Sequence, residues 1–257
     1  MIHNADNRWF ESLSTARGQL RLFCFPYAGG NAHVFRDWQR PFAPEIDVCL
    51  VHLPGRARRA GERPYTVMQP LVQELADVIR NKVDGRFAFF GHSMGALISF
   101  ELARELRRRD QHGPAHLFLS AYEAPTVVRA LPHTFNLPEQ ELLAAIKNLN
   151  GTPKEFFEYP EIQSLLLPLL RADFELTDTY SYAAESPLAC GITVYGGEQD
   201  ERATVKNLDP WRLQTSAECE IRVFPGGHFF IESQKAEFLR ILRQDLLAAA
   251  SMPADER

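Results

Sequence analysis

An α/β architecture with a mostly parallel sheet covered by helices on both faces is the fold this chain predicts, and three observations predict it. Short, nearly continuous apolar runs recur along the sequence. Longer segments with apolar residues three and four apart lie between them. One of the short runs leads straight into a G-x-S-x-G pentapeptide. Strands buried on both faces read as unbroken apolar runs, and alternation with helices is the signature of parallel pairing through crossovers.

Six runs read as strands: 20–25 (LRLFCF), 47–53 (DVCLVHL), 86–90 (RFAFF), 116–121 (HLFLSA), 192–195 (ITVY) and 220–224 (EIRVF). Val67, Leu71, Leu75, Val78 and Ile79 mark a helix, with Thr66 as its N-cap and Pro70 placing the start a little later. A second helix, 94–108, follows the third strand, and Phe238, Leu242 and Leu246 form one stripe of a last helix before a polar tail. The alternation breaks over 123–187, where helical patterns succeed one another without a strand-like run. Leu142, Leu143, Ile146 and Leu149 mark one helix; Asn150 and Gly151 end it, and Thr152 and Pro153 cap and open the next. A further helix, 161–172, is expected to be interrupted by Pro168. An all-helical insert of this size reads as a lid over a site. The organisation expected is one domain over 1–257 carrying a helical lid at 123–187.

Composition narrows the function. The 257 residues carry 28 Lys and Arg against 33 Asp and Glu, a formal net charge of −5, which argues against nucleic-acid binding by bulk electrostatics. No run approaches the ~20 apolar residues of a membrane helix, and the beginning of the sequence lacks the basic, apolar and small-residue succession of a secretory signal. Cys24, Cys49, Cys190 and Cys219 form no C-x-x-C pair, so no metal site is expected and a reduced, cytoplasmic setting is. No heptad seam marks a coiled-coil dimer, and a monomer is expected.

The sharpest signal is Phe89-Phe90-Gly91-His92-Ser93-Met94-Gly95-Ala96. Strand, G-x-S-x-G and helix in direct succession form the setting of a nucleophile elbow, whose tight turn demands small residues two before and two after the serine. His228, just after the last strand, is placed to act as general base. His92 neighbours the serine but points away in such a turn; His33, His52 and His133 border the site in this reading, while His3, His112 and His116 lie in polar or terminal settings. Asp200, on the loop after the fifth strand, is the acid that orients the imidazole, with Glu198 and Glu123 as rivals. Backbone N–H donors to an oxyanion are expected from Met94 and from Ala28, or alternatively Tyr27, in the loop Phe25-Pro26-Tyr27-Ala28-Gly29-Gly30-Asn31.

Taken together, Cys24-Phe25-Pro26-Tyr27-Ala28-Gly29-Gly30, Leu53-Pro54-Gly55-Arg56, Gly91-His92-Ser93-Met94-Gly95-Ala96, Leu167-Pro168-Leu169-Leu170-Arg171-Ala172-Asp173 and Pro225-Gly226-Gly227-His228-Phe229-Phe230 resemble a type II thioesterase, the stand-alone editing enzyme of polyketide and non-ribosomal peptide synthesis. The resemblance runs from Trp9 to the last helix. It implies an α/β-hydrolase fold, Ser93, Asp200 and His228 as a triad, and Met94 and Ala28 as oxyanion donors. It implies no cofactor beyond the phosphopantetheine that the substrate itself brings, and acyl or peptidyl carrier protein domains as partners. One departure is visible: Ser120-Ala121-Tyr122-Glu123-Ala124-Pro125 stands where a more basic segment is expected.

Carrier proteins are typically acidic around the pantetheine serine, so Arg56, Arg58, Arg59 and Arg63 are candidates for carrier docking. Arg107, Arg108 and Arg109 read instead as cations at a helix C-terminus. Leu165, Leu166, Leu167, Leu169 and Leu170 make a helix apolar nearly all round, a candidate lining for an acyl chamber. A hydrolase of free esters and a non-catalytic carrier-binding partner are the competing readings.

Overall fold

The computed structural model describes residues 8–14, 18–127, 133–149, 151–152 and 154–251. Strands β1 (Phe10–Ser12), β2 (Leu20–Phe25), β3 (Ile46–Val51), β4 (Phe87–His92), β5 (His116–Ser120), β6 (Gly191–Gly197) and β7 (Cys219–Phe224) form one sheet in the order β1-β3-β2-β4-β5-β6-β7. Every pairing is parallel except that of β1 with β3. The helices, in chain order, are α1 (Gln39–Phe42), α2 (Met68–Lys82), α3 (Met94–Arg108), α4 (Glu139–Asn148), α5 (Lys154–Glu158), α6 (Pro160–Asp178), α7 (Phe230–Ser233) and α8 (Lys235–Ser251). All six expected strands are present within a few residues of their expected limits. The seventh, β1, is an addition: three residues with one buried aromatic give no periodicity to read.

The central strands bury both faces because their side chains alternate between two cores. Phe87 and Phe89 of β4 face the same core as Leu75, Leu97 and Phe100 of α2 and α3. Ala88 and Phe90 face the other core, with Trp38, Phe238 and Leu242. In that second core Phe238, fully buried, has its ring centroid within 6 Å of those of Trp38, Phe90, Tyr195, Phe224 and Phe230. Phe238→Ala is expected to lower unfolding free energy by about 3–5 kcal/mol, because the cavity cannot collapse around five rigid rings. Urea unfolding checks this; a loss under about 1 kcal/mol would contradict the packing account.

Helix α2 begins at Met68, with Val67 as N-cap and no side-chain cap, so Thr66 does not cap it. Between β5 and β6 the described residues hold α4, α5 and α6 and no strand. Asn150 and Pro153 lie outside the described residues, as do 252–257 of the polar tail. Leu142, Ile146, Phe156, Leu167, Leu170 and Phe174 bring α4, α5 and α6 together around a small core of their own.

Helix α6 runs unbroken through Pro168, where an interruption was expected. Proline's φ is itself helical, and its cost is a lost hydrogen bond at the carbonyl four residues back, here that of Ser164. Residues 161, 164, 165 and 168 are all exposed, so the stranded carbonyl lies on the solvent side. The same periodicity corrects the reading of this helix as apolar all round. Leu165 is 75% exposed and points away from the core of the insert.

Burial of two histidines predicts an acid-sensitive fold. His116, stacked on Phe118 and hydrogen-bonded through Nε2 to Thr193 Oγ1 at 2.8 Å, has its pKa pushed down to about 4 by burial. Burial likewise holds the His92 pKa well below its ordinary value. Between the unfolded value near 6.5 and the folded one, the unfolded chain binds more protons, so stability falls as pH drops through that window. Urea midpoints are expected to decrease from pH 7 to pH 4.5, and His116→Gln to flatten the decrease. A pH-independent midpoint would contradict it.

Candidate active site

The end of β4 and the start of α3 meet at Ser93, whose backbone has φ 54 and ψ −117, a conformation that thrusts the side chain out of the turn. Only a chain without side chains at positions 91 and 95 makes that turn. A Cβ on Gly91 would lie 2.0 Å from the Gly95 carbonyl oxygen, and one on Gly95 would lie 2.1 Å from that of Phe25. The Ser93 N–H is tied to the Ser120 carbonyl on the neighbouring strand at 2.7 Å.

The loops after β6 and β7 bring two more groups to the same rim. His228 Nε2 lies 3.0 Å from Ser93 Oγ, and His228 Nδ1 lies 2.8 Å from Asp200 Oδ2. The other carboxylate oxygen, Asp200 Oδ1, accepts the N–H groups of Arg202 at 2.9 Å and Ala203 at 3.1 Å. Burial would raise the Asp200 pKa, but the hydrogen bond and charge of His228 and the two backbone donors outweigh it and hold the carboxyl below its ordinary value. Asp200 is therefore an anion, positioned to keep a proton on Nδ1 and leave Nε2 free to accept one.

The rival groups are elsewhere. Glu198 is exposed, and Glu123 accepts a 2.6 Å hydrogen bond from Asn207. His92 is fully buried, with Nδ1 2.9 Å from Ser120 Oγ, and packs behind His228. His52 pairs with Glu11 at 2.8 Å, His33 packs on His52, and His133 is exposed; none of the three lines the cavity at Ser93.

That cavity has a volume of about 410 Å³. Ser93, Met94, Ala28, Tyr27 and His228 form its floor, and Leu166, Leu169, Leu170, Ile146, Phe156 and Phe174 of the helical insert face them. As the first residue of α3, Met94 has an N–H with no acceptor inside the helix. Three of the five leucines singled out in the sequence are thus at the cavity; Leu165 is exposed, and Leu167 is buried in the small core of the insert instead. Ile146, Phe156 and Phe174 were missed as lining residues, although their apolar spacing marks them as buried. Ala121 and Tyr122, from the segment that departs from the expected basic one, are also at the cavity, and residues 120–124 are buried.

The four arginines after β3 separate into two pairs. Arg58 and Arg63 are exposed, Arg58 within 3.4 Å of Glu11. Arg56 and Arg59 are only 7% and 3% exposed and are not available as docking cations. Arg59 lies over the Trp9 ring, pairs with Glu62 at 2.6 Å and donates to the His52 carbonyl. Arg56 pairs with Asp173 of α6. Two side chains that the sequence presents as surface charge are folded inward, each with an acceptor at every guanidinium nitrogen. Arg107 and Arg108 pair with Glu185, and Arg109 with Glu105 and Asp77.

Among the described residues no group of three or more His, Cys, Asp or Glu side chains is arranged to hold a metal ion, and no helix is long and apolar enough to cross a membrane.

The profile of the thioesterase domain family matches residues 20–246 of this chain. The gramicidin S biosynthesis protein GrsT of Aneurinibacillus migulanus is 42% identical over 241 residues, 93% of this chain and 94% of that protein. The protein of Brevibacillus parabrevis named linear gramicidin dehydrogenase LgrE is 43% identical over 248 residues, 95% of this chain and 94% of that one. Among solved structures, the type II thioesterase YbtT of the yersiniabactin NRPS/PKS biosynthetic pathway superposes with a TM-score of 0.84 at 30% identity, covering 95% of this chain and 100% of YbtT.

Proposed function

Because the chain belongs to the thioesterase domain family, we propose that it hydrolyses acyl groups from the phosphopantetheine arm of acyl or peptidyl carrier proteins, through an acyl-serine at Ser93, and so frees stalled or mis-primed synthases. The observation that carries this reading is the hydrogen-bonded line Ser93, His228, Asp200 on the floor of an apolar cavity.

The chemistry follows from the geometry. Ser93 Oγ attacks the thioester carbonyl carbon while His228 Nε2 takes its proton, and Asp200 stabilises the imidazolium. The carbonyl oxygen becomes an oxyanion held by the N–H groups of Met94 and Ala28. Collapse breaks the C–S bond, and His228 returns the proton to the departing pantetheine sulfur. Water then gives a proton to His228 and its oxygen to the acyl carbon; the second oxyanion collapses, the ester C–O bond breaks, and His228 returns the proton to Ser93 Oγ as the carboxylic acid leaves. Each step uses groups of this chain and water.

Residues 123–187 serve, in this reading, as a lid within a single domain, because α4, α5 and α6 supply the cavity wall opposite Ser93. The apolar wall suits an acyl chain, and the exposed Arg63 and Arg58, the latter also paired with Glu11, present cations to an acidic carrier. A cytoplasmic setting is part of this proposal, on the sequence alone: the four cysteines form no C-x-x-C pair. The redox activity in the name of LgrE calls for hydride chemistry, whereas a serine, histidine and carboxylate in line support acyl transfer.

The test is a direct comparison of carriers bearing acyl groups of graded length with aryl and glyceryl esters of the same acids, read by intact-protein mass spectrometry and acid release. A kcat/KM at least about tenfold higher on the carrier-bound thioesters is expected. A preference for the free esters would replace this reading with a carboxylesterase.

A further inference from the structure

Arg56 and Asp173 form a buried ion pair that reaches from the loop after β3 to helix α6, and the turn carrying Ala28 is fastened to it. The pair is bidentate, with Arg56 Nη1 2.8 Å from Asp173 Oδ2 and Nη2 2.7 Å from Oδ1. Asp173 Oδ2 also accepts the Gly29 N–H at 2.7 Å, and Arg56 Nη1 also donates to the Gly30 carbonyl at 3.1 Å. Two consecutive residues of one turn are thus held, one by its donor and one by its acceptor, through a single pair of charges.

The turn itself is closed by the Gly30 N–H donating to the Tyr27 carbonyl at 2.9 Å, with Gly29 at φ +74, the third position of a turn that demands a left-handed residue. A trans peptide is planar, with its N–H opposed to its C=O. Fixing the Tyr27 carbonyl toward Gly30 therefore fixes the Ala28 N–H in the opposite direction. A Cβ on Gly29 would lie 2.5 Å from Leu170 of α6, so the turn is also pressed against the helix that carries Asp173.

We infer that Arg56 and Asp173 are positioning residues for the acyl-transfer step: they clamp the turn so that the Ala28 N–H is held at the place where the oxyanion forms. The clamp costs the protein two buried charges, which a docking role for Arg56 would not require and a packing role would fill better with apolar side chains. This inference rests on the reading of Ser93 as nucleophile, because the clamped amide has work only where a tetrahedral intermediate forms.

The experiment measures kcat, KM and affinity for an alkyl boronic acid, which adds to a nucleophilic serine as a tetrahedral anion, in Asp173→Asn, Arg56→Lys and the double variant Arg56→Met/Asp173→Leu. The expected result for the single variants is a loss of about tenfold to a hundredfold in kcat and a matching loss in boronate affinity, with KM within about threefold, since an oxyanion donor is worth about 10²–10³ in kcat and is here displaced rather than removed. Single variants that unfold do not end the test, because the double variant replaces the pair by apolar groups of like size and removes the unpaired charge. It is expected to melt near the parent temperature and to remain slow. Recovery of kcat and boronate affinity in the double variant, or a loss confined to KM, would overturn the clamp and leave the pair a packing element. The boronate arm needs no thioester: a parent chain that binds boronate but leaves acyl carriers intact overturns the substrate assignment, while the variants' boronate affinities still decide the clamp.

Discussion

Ser93→Ala is expected to lower the release of acyl groups from a loaded carrier by about four to six orders of magnitude, while far-UV circular dichroism and the melting temperature stay close to the parent's. The size follows from what the hydroxyl does. Without Oγ there is no covalent acceptor for the acyl group, and His228 Nε2, 3.0 Å away, has no proton to take. The fold survives because alanine keeps the Cβ and the backbone bond from Ser93 N to the Ser120 carbonyl. Stopped assays with intact-mass detection of the carrier check it. A variant that retains more than about a hundredth of the parent rate would remove Ser93 from the chemistry.

Asp200→Asn is expected to reduce kcat by about 10⁴-fold with little change in KM, for a reason the local hydrogen bonds make specific. The Arg202 and Ala203 N–H groups both donate to Asp200 Oδ1, so they claim the oxygen of an asparagine amide. The amide nitrogen is left facing His228 Nδ1, where it is a donor. The imidazole must then carry its proton on Nε2, the tautomer that cannot accept the Ser93 proton. Asp200→Ala, which frees the ring, is expected to be less severe than the isosteric asparagine. Rates on a single acyl-pantetheine thioester measure both, and an asparagine variant within tenfold of the parent would contradict the tautomer argument.

The parts of the site that lie close along the chain were legible in the sequence. Ser93, its flanking glycines, the preceding strand and the following helix are one continuous segment, and local chemistry dictates the turn. His228 and Asp200 were legible because strand ends in a parallel sheet share a rim, which carries loops after β4, β6 and β7 to one place.

Arg56 and Arg59 were misread because charge in a sequence suggests solvent, and burial of a guanidinium depends on partners that no local pattern announces. The partner of Arg56 is Asp173, 117 residues away. Leu165 was misread for a different reason. A run of leucines conceals the periodicity that their neighbours show: Glu161, Ser164 and Pro168 mark the outward face on which Leu165 sits. The sequence predicts a break at Pro168 because the rule for proline concerns its lost hydrogen bond, and that rule is silent on whether solvent is there to satisfy the stranded carbonyl. Strand β1 escaped notice because three residues pairing at the sheet's antiparallel edge need no pattern of their own.

The central claim is that an acyl group passes through Ser93, and stoichiometric labelling with a fluorophosphonate tests it most directly. Peptide mapping of the labelled chain, run beside its thioester turnover, is expected to find one phosphonyl group per chain on Ser93 and turnover falling in proportion to the labelled fraction. Turnover that continues at the parent rate with Ser93 fully labelled, or that is lost while Ser93 stays unmodified, would contradict it.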